Sequence, residues 1–239
     1  IPLCENHVGG EFTEKMAIIG AGPAGMSAAY YLRTKGYPVT IFEKEGRAGG
    51  MLMNGIPTFR LEKNVIQAEI DILKEMGVEF KFNTEVGKDV TIQQLREQGY
   101  KAFYIAIGAQ GGRMAGVPGE DAAGVLTGVD FLRSVNLDET NAKVEGRTVV
   151  VGGGNVAIDV ARTALRAGAS EVSMCCLESR ETMPAAREEV EEALEEGIAI
   201  NNGWGPKEIL TENGKVKGIV FKKCTSVKDA DGRFNPQYD

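Results

Sequence analysis

Three glycines near the start of the chain, Gly20, Gly22 and Gly25, have the spacing of a phosphate-binding turn. They follow the apolar residues Ala17, Ile18 and Ile19 and precede a helix-forming run that starts at Met26. In such a G-x-G-x-x-G turn, the first glycine permits a tight bend and the second lets the backbone approach a pyrophosphate. The third lets the helix pack closely on the strand. Free N–H groups at the helix start favour the negative phosphates.

Glu43 closes the next apolar run, Val39 to Phe42. A carboxylate at the end of the second strand of a βαβ unit can accept hydrogen bonds from ribose hydroxyls. Glycine-rich turns alone are common, but strand, turn, helix, second strand and acidic end all occur here in order. The stretch from Ala17 to Glu43 therefore predicts a dinucleotide site.

The same device recurs in the second half of the chain. An apolar run ending at Val151 leads into a G-x-G-x-x-A turn, and a second strand ends at Glu178. Alanine in the third position still permits close helix packing. The turn consists of Gly152, Gly153, Gly154, Asn155, Val156 and Ala157. Two such units predict two bound dinucleotides.

Two dinucleotides in series indicate electron transfer between them. A nicotinamide can deliver a hydride to a flavin ring by stacking, so that the protein supplies position and electrostatics and needs no acid–base residue. The only histidine, His7, lies in a polar leader where a solvated side chain is the ordinary interpretation. The sequence therefore predicts no catalytic side chain.

Composition excludes several classes of function. The chain has 239 residues, 43% of them hydrophobic, and a net charge of −7, which argues against a nucleic-acid surface. No apolar run approaches the ~20 residues that cross a bilayer, and no secretory pattern begins the chain. The four cysteines include no C-x-x-C pair, so we expect reduced thiols in a cytoplasmic protein and no metal site. Cys4 could alternatively belong to a metal cluster completed elsewhere, but a free thiol is favoured.

The pattern of elements predicts an α/β fold. Strands and helices alternate, which implies two mostly parallel sheets with helices, one for each dinucleotide unit. We expect a leader at 1–14, a first domain at 15–113 and a second at 114–239, divided within a glycine-rich segment at 110–121. Local predictions complete the pattern. They are a helix with Val65, Ile66, Ile70, Leu73 and Met76 on one face, a second helix from Pro184 to Glu196 with a solvated acidic face, a hairpin turn at Asn213-Gly214, and a turn at 229–232.

Residues 46–55 contain four glycines, too many for a packed strand. They suit a backbone that passes close to a flat ligand, although a flexible surface loop has the same composition.

Several runs closely resemble the small (beta) subunit family of glutamate synthase and its flavoprotein relatives. The match covers nearly all of residues 15–235. The runs are Gly20 to Gly25, Glu43-Lys44, Gly49-Gly50-Met51-Leu52, the G-I-P-x-F-R-L run at 55–61, P-G-E-D at 118–121, G-G-G-N-x-A-x-D-x-A-R-T at 152–163 and M-P-A at 183–185. The G-I-P-x-F-R-L and G-G-G-N-x-A-x-D-x-A-R-T runs are specific to this group, which includes the flavin domains of dihydropyrimidine dehydrogenase.

The resemblance implies a glutathione-reductase-like fold of two Rossmann-like domains, with FAD in the first and NAD(P) in the second. It implies an NAD(P)H oxidoreductase that passes electrons to an iron–sulphur partner, a ferredoxin-type acceptor or a large catalytic subunit. The implied FAD contacts are Gly20, Gly22, Pro23, Ala24, Gly25, Glu43, Lys44, Gly50, Leu52, Arg60, Val86 and Gly108. The implied nicotinamide contacts are Gly152, Gly153, Gly154, Asn155, Val156, Ala157 and Glu178.

The chain departs from the family pattern in three places. Family members that use NADPH carry paired arginines where this chain has Leu177-Glu178, and a carboxylate repels a 2′-phosphate, so we expect NADH over NADPH. Arg180 could still bind such a phosphate. The leader lacks the family's four-cysteine cluster domain. No A-G-D run follows the second domain, so we expect a truncated chain with only the first half of the FAD domain.

Three other interpretations stay open at this point. A ferredoxin-linked reductase unconnected with glutamate would carry the same motifs. A non-catalytic nucleotide-binding fragment would also fit the absence of the second half of the FAD domain. A disulphide reductase is disfavoured because C-x-x-C is absent.

Overall fold

A computed structural model describes residues 12–138 and 142–239. Most of the predicted leader, with Cys4 and His7, lies outside these ranges. The chain divides into two compact units between Gln110 and Gly111. Within the described ranges, no helix combines the length and apolarity required to cross a membrane.

The first unit is built on a four-stranded parallel sheet in the order β3-β2-β1-β4. Its elements are β1 (Lys15–Ile19), α1 (Pro23–Thr34), β2 (Val39–Phe42), α2 (Met51–Asn54), α3 (Lys63–Glu75), β3 (Glu79–Lys81), α4 (Ile92–Glu97) and β4 (Tyr100–Ile105). Gly36 follows α1 with φ +95°, a left-handed conformation that ends the helix as its stop signal predicts. Strand, helix and strand alternate as expected.

The core of the first unit lies where the central strands meet α3. Ile18 and Ile41 are fully buried, and Ile70 from α3 packs in the same cluster. The prediction that Val65 belongs to this apolar face is wrong, because its side chain is 53% exposed. Buried positions of α3 recur at Ile66, Ile70 and Leu73, and Val65 lies about 100° around the helix from Ile66.

The second unit contains a parallel sheet in the order β5-β6-β7 and an antiparallel sheet in the order β10-β9-β8. Its elements are α5 (Gly128–Leu137), β5 (Arg147–Val151), α6 (Asn155–Arg166), β6 (Glu171–Cys176), α7 (Arg187–Glu195), β7 (Ala199–Asn202), β8 (Trp204–Glu212), β9 (Lys215–Lys228) and β10 (Phe234–Tyr238). Ile158 of α6 and Met174 of β6 are fully buried in its core. The two glycine turns therefore each follow a strand of a parallel sheet.

The antiparallel sheet contains both predicted turns. Asn213 and Gly214 join β8 to β9 with φ of +52° and +74°, the conformation that a two-residue hairpin turn requires. Between β9 and β10, the Asp229 carboxylate accepts hydrogen bonds from the N–H groups of Asp231 and Arg233, so this segment is a turn.

Two predictions about α7 need correction. The helix begins at Arg187, three residues after Pro184. Its acidic face is also only partly solvated, because Glu196 receives hydrogen bonds from Arg162 and Arg166, and Glu192 receives one from Arg162. The sequence could not show this, because the arginines lie on α6, about thirty residues away.

Candidate dinucleotide sites

The first glycine turn has the tight geometry that its spacing predicts. Gly20 has φ +107°, and a Cβ at this position would lie 2.3 Å from the Ala106 carbonyl oxygen. A Cβ at Gly25 would lie 1.9 Å from the Gly20 carbonyl oxygen. Any side chain at either position would collide with backbone, so the fold itself requires both glycines.

Gly22 differs because a side chain there would meet no steric clash. Its φ is −77°, and a Cβ there would have Gly50 Cα, 3.9 Å away, as its nearest neighbour. Pro23 and Ala24, at the start of α1, are exposed, and no described side chain caps this helix. The N–H groups at the helix start therefore keep the capacity to donate to an anion.

The turn lies at the topological switch point of the sheet. β2 and β4 flank β1 on opposite sides, and the Ala106 N–H donates to the Ile19 carbonyl at 2.8 Å where β1 ends. Gly108 follows with φ +71° and is exposed. Open α/β sheets bind their ligands at this carboxyl-end crevice. The geometry thus brings Gly108 to the same edge of the sheet as the turn.

Glu43 is 7% exposed and bonded to the turn. Its Oε2 accepts a hydrogen bond from Ala21 N at 2.7 Å, and its Oε1 accepts one from Glu45 N at 2.9 Å. Each oxygen of an ionised carboxylate can accept a second bond, so the capacity to bind ribose hydroxyls is retained. The neighbouring Lys44 is exposed.

The second glycine run is packed against the first turn. Gly49 N donates to the Ala21 carbonyl at 2.8 Å, and a Cβ at Gly50 would lie 2.8 Å from Gly22 Cα. Residues 48–50 are buried, so a flexible surface loop does not describe them. Sequence reasoning missed that a short helix follows and that Arg47 and Lys63 donate hydrogen bonds to it.

Three predicted FAD contacts lie further from the turn in sequence. Leu52 and Arg60 are partly buried, the first in α2 and the second in the turn that follows Pro57. Val86 packs against the cluster that contains Phe42, next to Glu43. Their contact with a cofactor stays a prediction.

The second turn also contains glycines at which a side chain would be strained or would clash, and one at which it would not. Gly152 has φ +145°, and a Cβ at Gly153 would lie 2.9 Å from Glu178 Oε2 and 3.0 Å from Cys176 Cβ. A Cβ at Gly154 would meet Pro184 Cγ at 3.9 Å, an ordinary contact. Asn155 and Val156 at the start of α6 are exposed, and no described side chain caps the helix.

The segment before α7 closes over this turn. Ala185 N donates to the Gly153 carbonyl at 3.1 Å, and Ala186 N donates to Asn155 Oδ1 at 2.8 Å. The side-chain oxygen of Asn155 is therefore bonded within the protein, while its amide nitrogen can still donate to a ligand.

Glu178 lies beside the second turn, where a ribose acceptor is expected. Its carboxylate faces Gly153, and its backbone carbonyl accepts hydrogen bonds from Asn202 Nδ2 and Gly203 N at 3.1 and 3.2 Å. Arg180 is exposed, in a turn closed by Ser179 N donating to Thr182 Oγ1. Both side chains thus belong to the loop between β6 and α7.

The buried thiols of β6 are not poised as nucleophiles. Burial, together with the nearby Glu178 charge, raises the pKa of the Cys176 thiol to about 11, and burial also raises the pKa of Cys175. A thiol that stays protonated at neutral pH is a poor nucleophile and a poor metal ligand. Both residues belong to the buried core.

Two Rossmann-like units, each with a glycine turn that opens at a helix start, define an α/β dinucleotide-binding protein. The sequence matches the model of the pyridine nucleotide-disulphide oxidoreductase family over residues 14–234. The chain therefore belongs to this family.

Curated relatives are similar over almost the whole chain. The NADP(+)-dependent formate dehydrogenase subunit beta of Moorella thermoacetica is 46% identical, covering 96% of this chain and 34% of the relative. The NADPH-Fe(3+) oxidoreductase subunit beta of Geobacter sulfurreducens is 41% identical, covering 94% and 34%. The glutamate synthase [NADPH] small chain of Escherichia coli is 38% identical, covering 92% and 49%, which confirms the resemblance. The chain spans about a third to a half of the length of these relatives.

Solved structures establish the fold. Mycobacterium tuberculosis FprA in complex with NADPH superimposes with a TM-score of 0.79 at 22% identity, covering 94% of this chain and 67% of that one. Thioredoxin reductase from T. acidophilum gives a TM-score of 0.62 at 20% identity, covering 93% and 73%. The predicted fold of two dinucleotide-binding units in series is confirmed.

Proposed function

We propose that this chain is the nucleotide-binding part of a flavin-dependent NAD(P)H oxidoreductase, with FAD at the Gly20–Gly25 turn and NAD(P) at the Gly152–Ala157 turn. The observation that carries this proposal is shared by both turns. In each, the first glycine has a left-handed backbone, and a Cβ on the glycine before the helix would make only an ordinary contact, 3.9 Å from its nearest neighbour, beside N–H groups that no described side chain caps. A pyrophosphate needs both features.

The residues of the first unit bind and orient, and none has to move a proton. The turn would hold the FAD pyrophosphate, and Glu43 would bind the ribose. Gly50, which has no side chain, would let the backbone lie close to the ligand. When bound, FAD would accept a hydride from NADH or NADPH and pass the electrons on to a separate acceptor. The chain's contribution is to hold each cofactor in place at its own turn.

We propose that the electrons leave for an iron–sulphur protein or a large catalytic subunit. The names of the relatives support this, because they describe a subunit beta or a small chain of a larger enzyme. Glutamate synthase is one such enzyme, and the formate dehydrogenase and Fe(3+) oxidoreductase names give alternatives of equal standing. Three described cysteines are free thiols, which supports a cytoplasmic location.

We propose NADH as the preferred donor. Glu178 stands at the second turn, where its carboxylate would repel a 2′-phosphate and accept from a 2′-hydroxyl. The names of several relatives specify NADP(+) or NADPH, whereas one, a dihydropyrimidine dehydrogenase subunit, is NAD-dependent. Arg180 is the residue of this chain that would serve NADPH.

Titration of the purified chain with FAD tests the proposal. We expect quenching of flavin fluorescence at micromolar concentration and, without oxygen, bleaching of the flavin absorbance after addition of NADH or NADPH. Binding without bleaching would favour a non-catalytic nucleotide-binding fragment. Failure to bind either FAD or a nicotinamide dinucleotide would contradict the proposed function.

A further inference from the structure

The short helix α2 forms one wall of the first dinucleotide site. Its start, Gly50, stands against Gly22, and Gly49 N donates to the Ala21 carbonyl at 2.8 Å. With four residues, α2 is too short to be stable by its own hydrogen bonds. Something outside the helix must therefore fix its place.

Two cations hold the other end of α2. Lys63 Nζ donates to the Leu52 carbonyl at 3.1 Å and also to the Ile56 carbonyl. Arg47 donates through Nε to Asn54 Oδ1 at 2.9 Å and through Nη2 to the Met53 carbonyl at 3.4 Å. The last carbonyls of a helix carry partial negative charge, so cations stabilise them.

The position of these contacts matters because α2 connects the residues that they hold, at its end, to Gly50 at its start. Asn54 is 1% exposed, and Met53 packs in the core, so the end of α2 cannot shift without disturbing buried groups. A Cβ at Gly50 would lie only 2.8 Å from Gly22 Cα, so the two backbones are already in close contact. A small displacement of α2 would therefore change the separation of Gly50 and Gly22.

We propose that Lys63 and Arg47 are positioning residues of the first dinucleotide site, acting through α2 to fix Gly50 opposite Gly22. They act from the end of α2, where their hydrogen bonds lie. This proposal rests on the proposed function, because it takes the first turn to be the site of FAD.

Substitution of Lys63 tests the proposal. We expect Lys63→Met to weaken FAD binding about tenfold, the order of a lost hydrogen bond from a charged group, while Lys63→Arg, which keeps the cation, stays within about threefold of wild type. Arg47→Met should weaken binding in the same direction. The matched control is Lys74→Met at the exposed end of α3, where the lysine pairs only with Asp71 among the described residues, and it should leave affinity unchanged.

Equal affinity in Lys63→Met and wild type would overturn the proposal, and so would equal losses in the methionine and arginine variants. Amide hydrogen exchange without added nucleotide gives a second readout that is independent of FAD. We expect faster exchange at Gly49 and Asn54 in Lys63→Met and near wild-type exchange in Lys63→Arg. If wild type fails to bind FAD, the proposed function fails, but unchanged exchange at Gly49 would separately refute the positioning role.

Discussion

Glu43 Oε2 accepts a hydrogen bond from Ala21 N at 2.7 Å, so the carboxylate proposed to bind ribose and the glycine turn form one bonded unit. The same carboxylate also accepts from Glu45 N through Oε1. Binding to a site whose groups are already held in place costs less ordering. Glu43 therefore links the geometry of the turn to the loop that follows β2.

Replacement of Glu43 by glutamine tests this link. An amide has one acceptor oxygen, so Glu43→Gln leaves one of the two backbone N–H groups without its partner. We expect a loss of about 1–3 kcal/mol in the free energy of unfolding, measured by urea denaturation, and weaker FAD binding. Glu75→Gln on the exposed face of α3 is the control. A variant as stable as this control would contradict the expectation.

The two kinds of glycine in the first turn predict opposite phenotypes. Gly22→Ala adds a methyl group whose nearest neighbour, Gly50 Cα, lies 3.9 Å away, so the unfolding transition should stay within a few degrees of wild type while FAD affinity falls at least tenfold. Gly20→Ala places the methyl group 2.3 Å from the Ala106 carbonyl oxygen, so this variant should have a lower free energy of unfolding than wild type.

Gly46→Ala is the matched control for Gly22→Ala, because its added Cβ would make an ordinary contact 3.5 Å from Asn83 Oδ1. It should keep both stability and flavin affinity. Undiminished FAD binding by Gly22→Ala would show that no phosphate approaches this backbone.

Gly154→Ala should separate the two sites. The added Cβ would meet only Pro184 Cγ, at 3.9 Å, so the fold should tolerate it, and the methyl group would obstruct a pyrophosphate at α6. We expect unchanged FAD affinity and at least a tenfold rise in KM for the nicotinamide substrate. Gly111→Ala, with no atom within 4 Å of its added Cβ, is the control. Loss of FAD affinity in Gly154→Ala would contradict the assignment of one cofactor to each turn.

Local patterns predicted the turns because their causes are local. Gly20 and Gly152 require left-handed backbone, and Asn213-Gly214 form a hairpin turn, all within a few residues of sequence. By contrast, Lys63 donates hydrogen bonds to the Ile56 and Leu52 carbonyls, seven and eleven residues away. The hydrophobic periodicity of the sequence does not reveal these contacts.

The acidic helix α7 shows the same limit. Its glutamates have the pattern of a solvated face, and only the packing of α6 against α7 shows that Glu196 is bonded to two arginines. Similarly, Val65 fits an apolar pattern in sequence, but it lies just outside the face of α3 that is buried in the core. Such distinctions depend on which neighbour covers each face, and this information is not local.

Glu196 predicts a pH dependence of stability. Hydrogen bonds from Arg166, then from Arg162, lower the pKa of its carboxyl from 4.5 to about 2 despite partial burial. Since the folded-state pKa is depressed, the stabilisation is present above pH 4.5 and is lost as the pH falls toward about 2. The free energy of unfolding should therefore decline across this window.

Glu196→Gln should remove this contribution. At pH 7 we expect it to lower the free energy of unfolding by about 1–3 kcal/mol, and the gap to wild type should close as the pH falls below 4.5. Glu195→Gln, on the same helix and exposed, should differ from wild type by less than about 0.5 kcal/mol at every pH. A gap that stays constant from pH 7 to pH 3 would refute the ionic origin.

Substitutions in the loop between β6 and α7 should change the preference between NADH and NADPH. Two charges of like sign a few ångströms apart near a protein surface repel by several kcal/mol, so the Glu178 carboxylate should disfavour a 2′-phosphate. We expect Glu178→Gln to raise kcat/KM for NADPH relative to NADH by about tenfold. Arg180→Ala should lower it for NADPH alone, because an exposed guanidinium can bind a phosphate but has little to offer a hydroxyl.

Glu181→Gln is the control for the loss of a negative charge in the same loop, since Glu181 is exposed. It should leave the ratio of the two kcat/KM values nearly unchanged. Binding of 2′,5′-ADP and of 5′-ADP, measured by calorimetry, separates recognition of the 2′-phosphate from hydride transfer. A wild-type protein that prefers 2′,5′-ADP, with the preference abolished in Arg180→Ala and unaltered in Glu178→Gln, would show that Arg180 sets the choice and that the donor is NADPH.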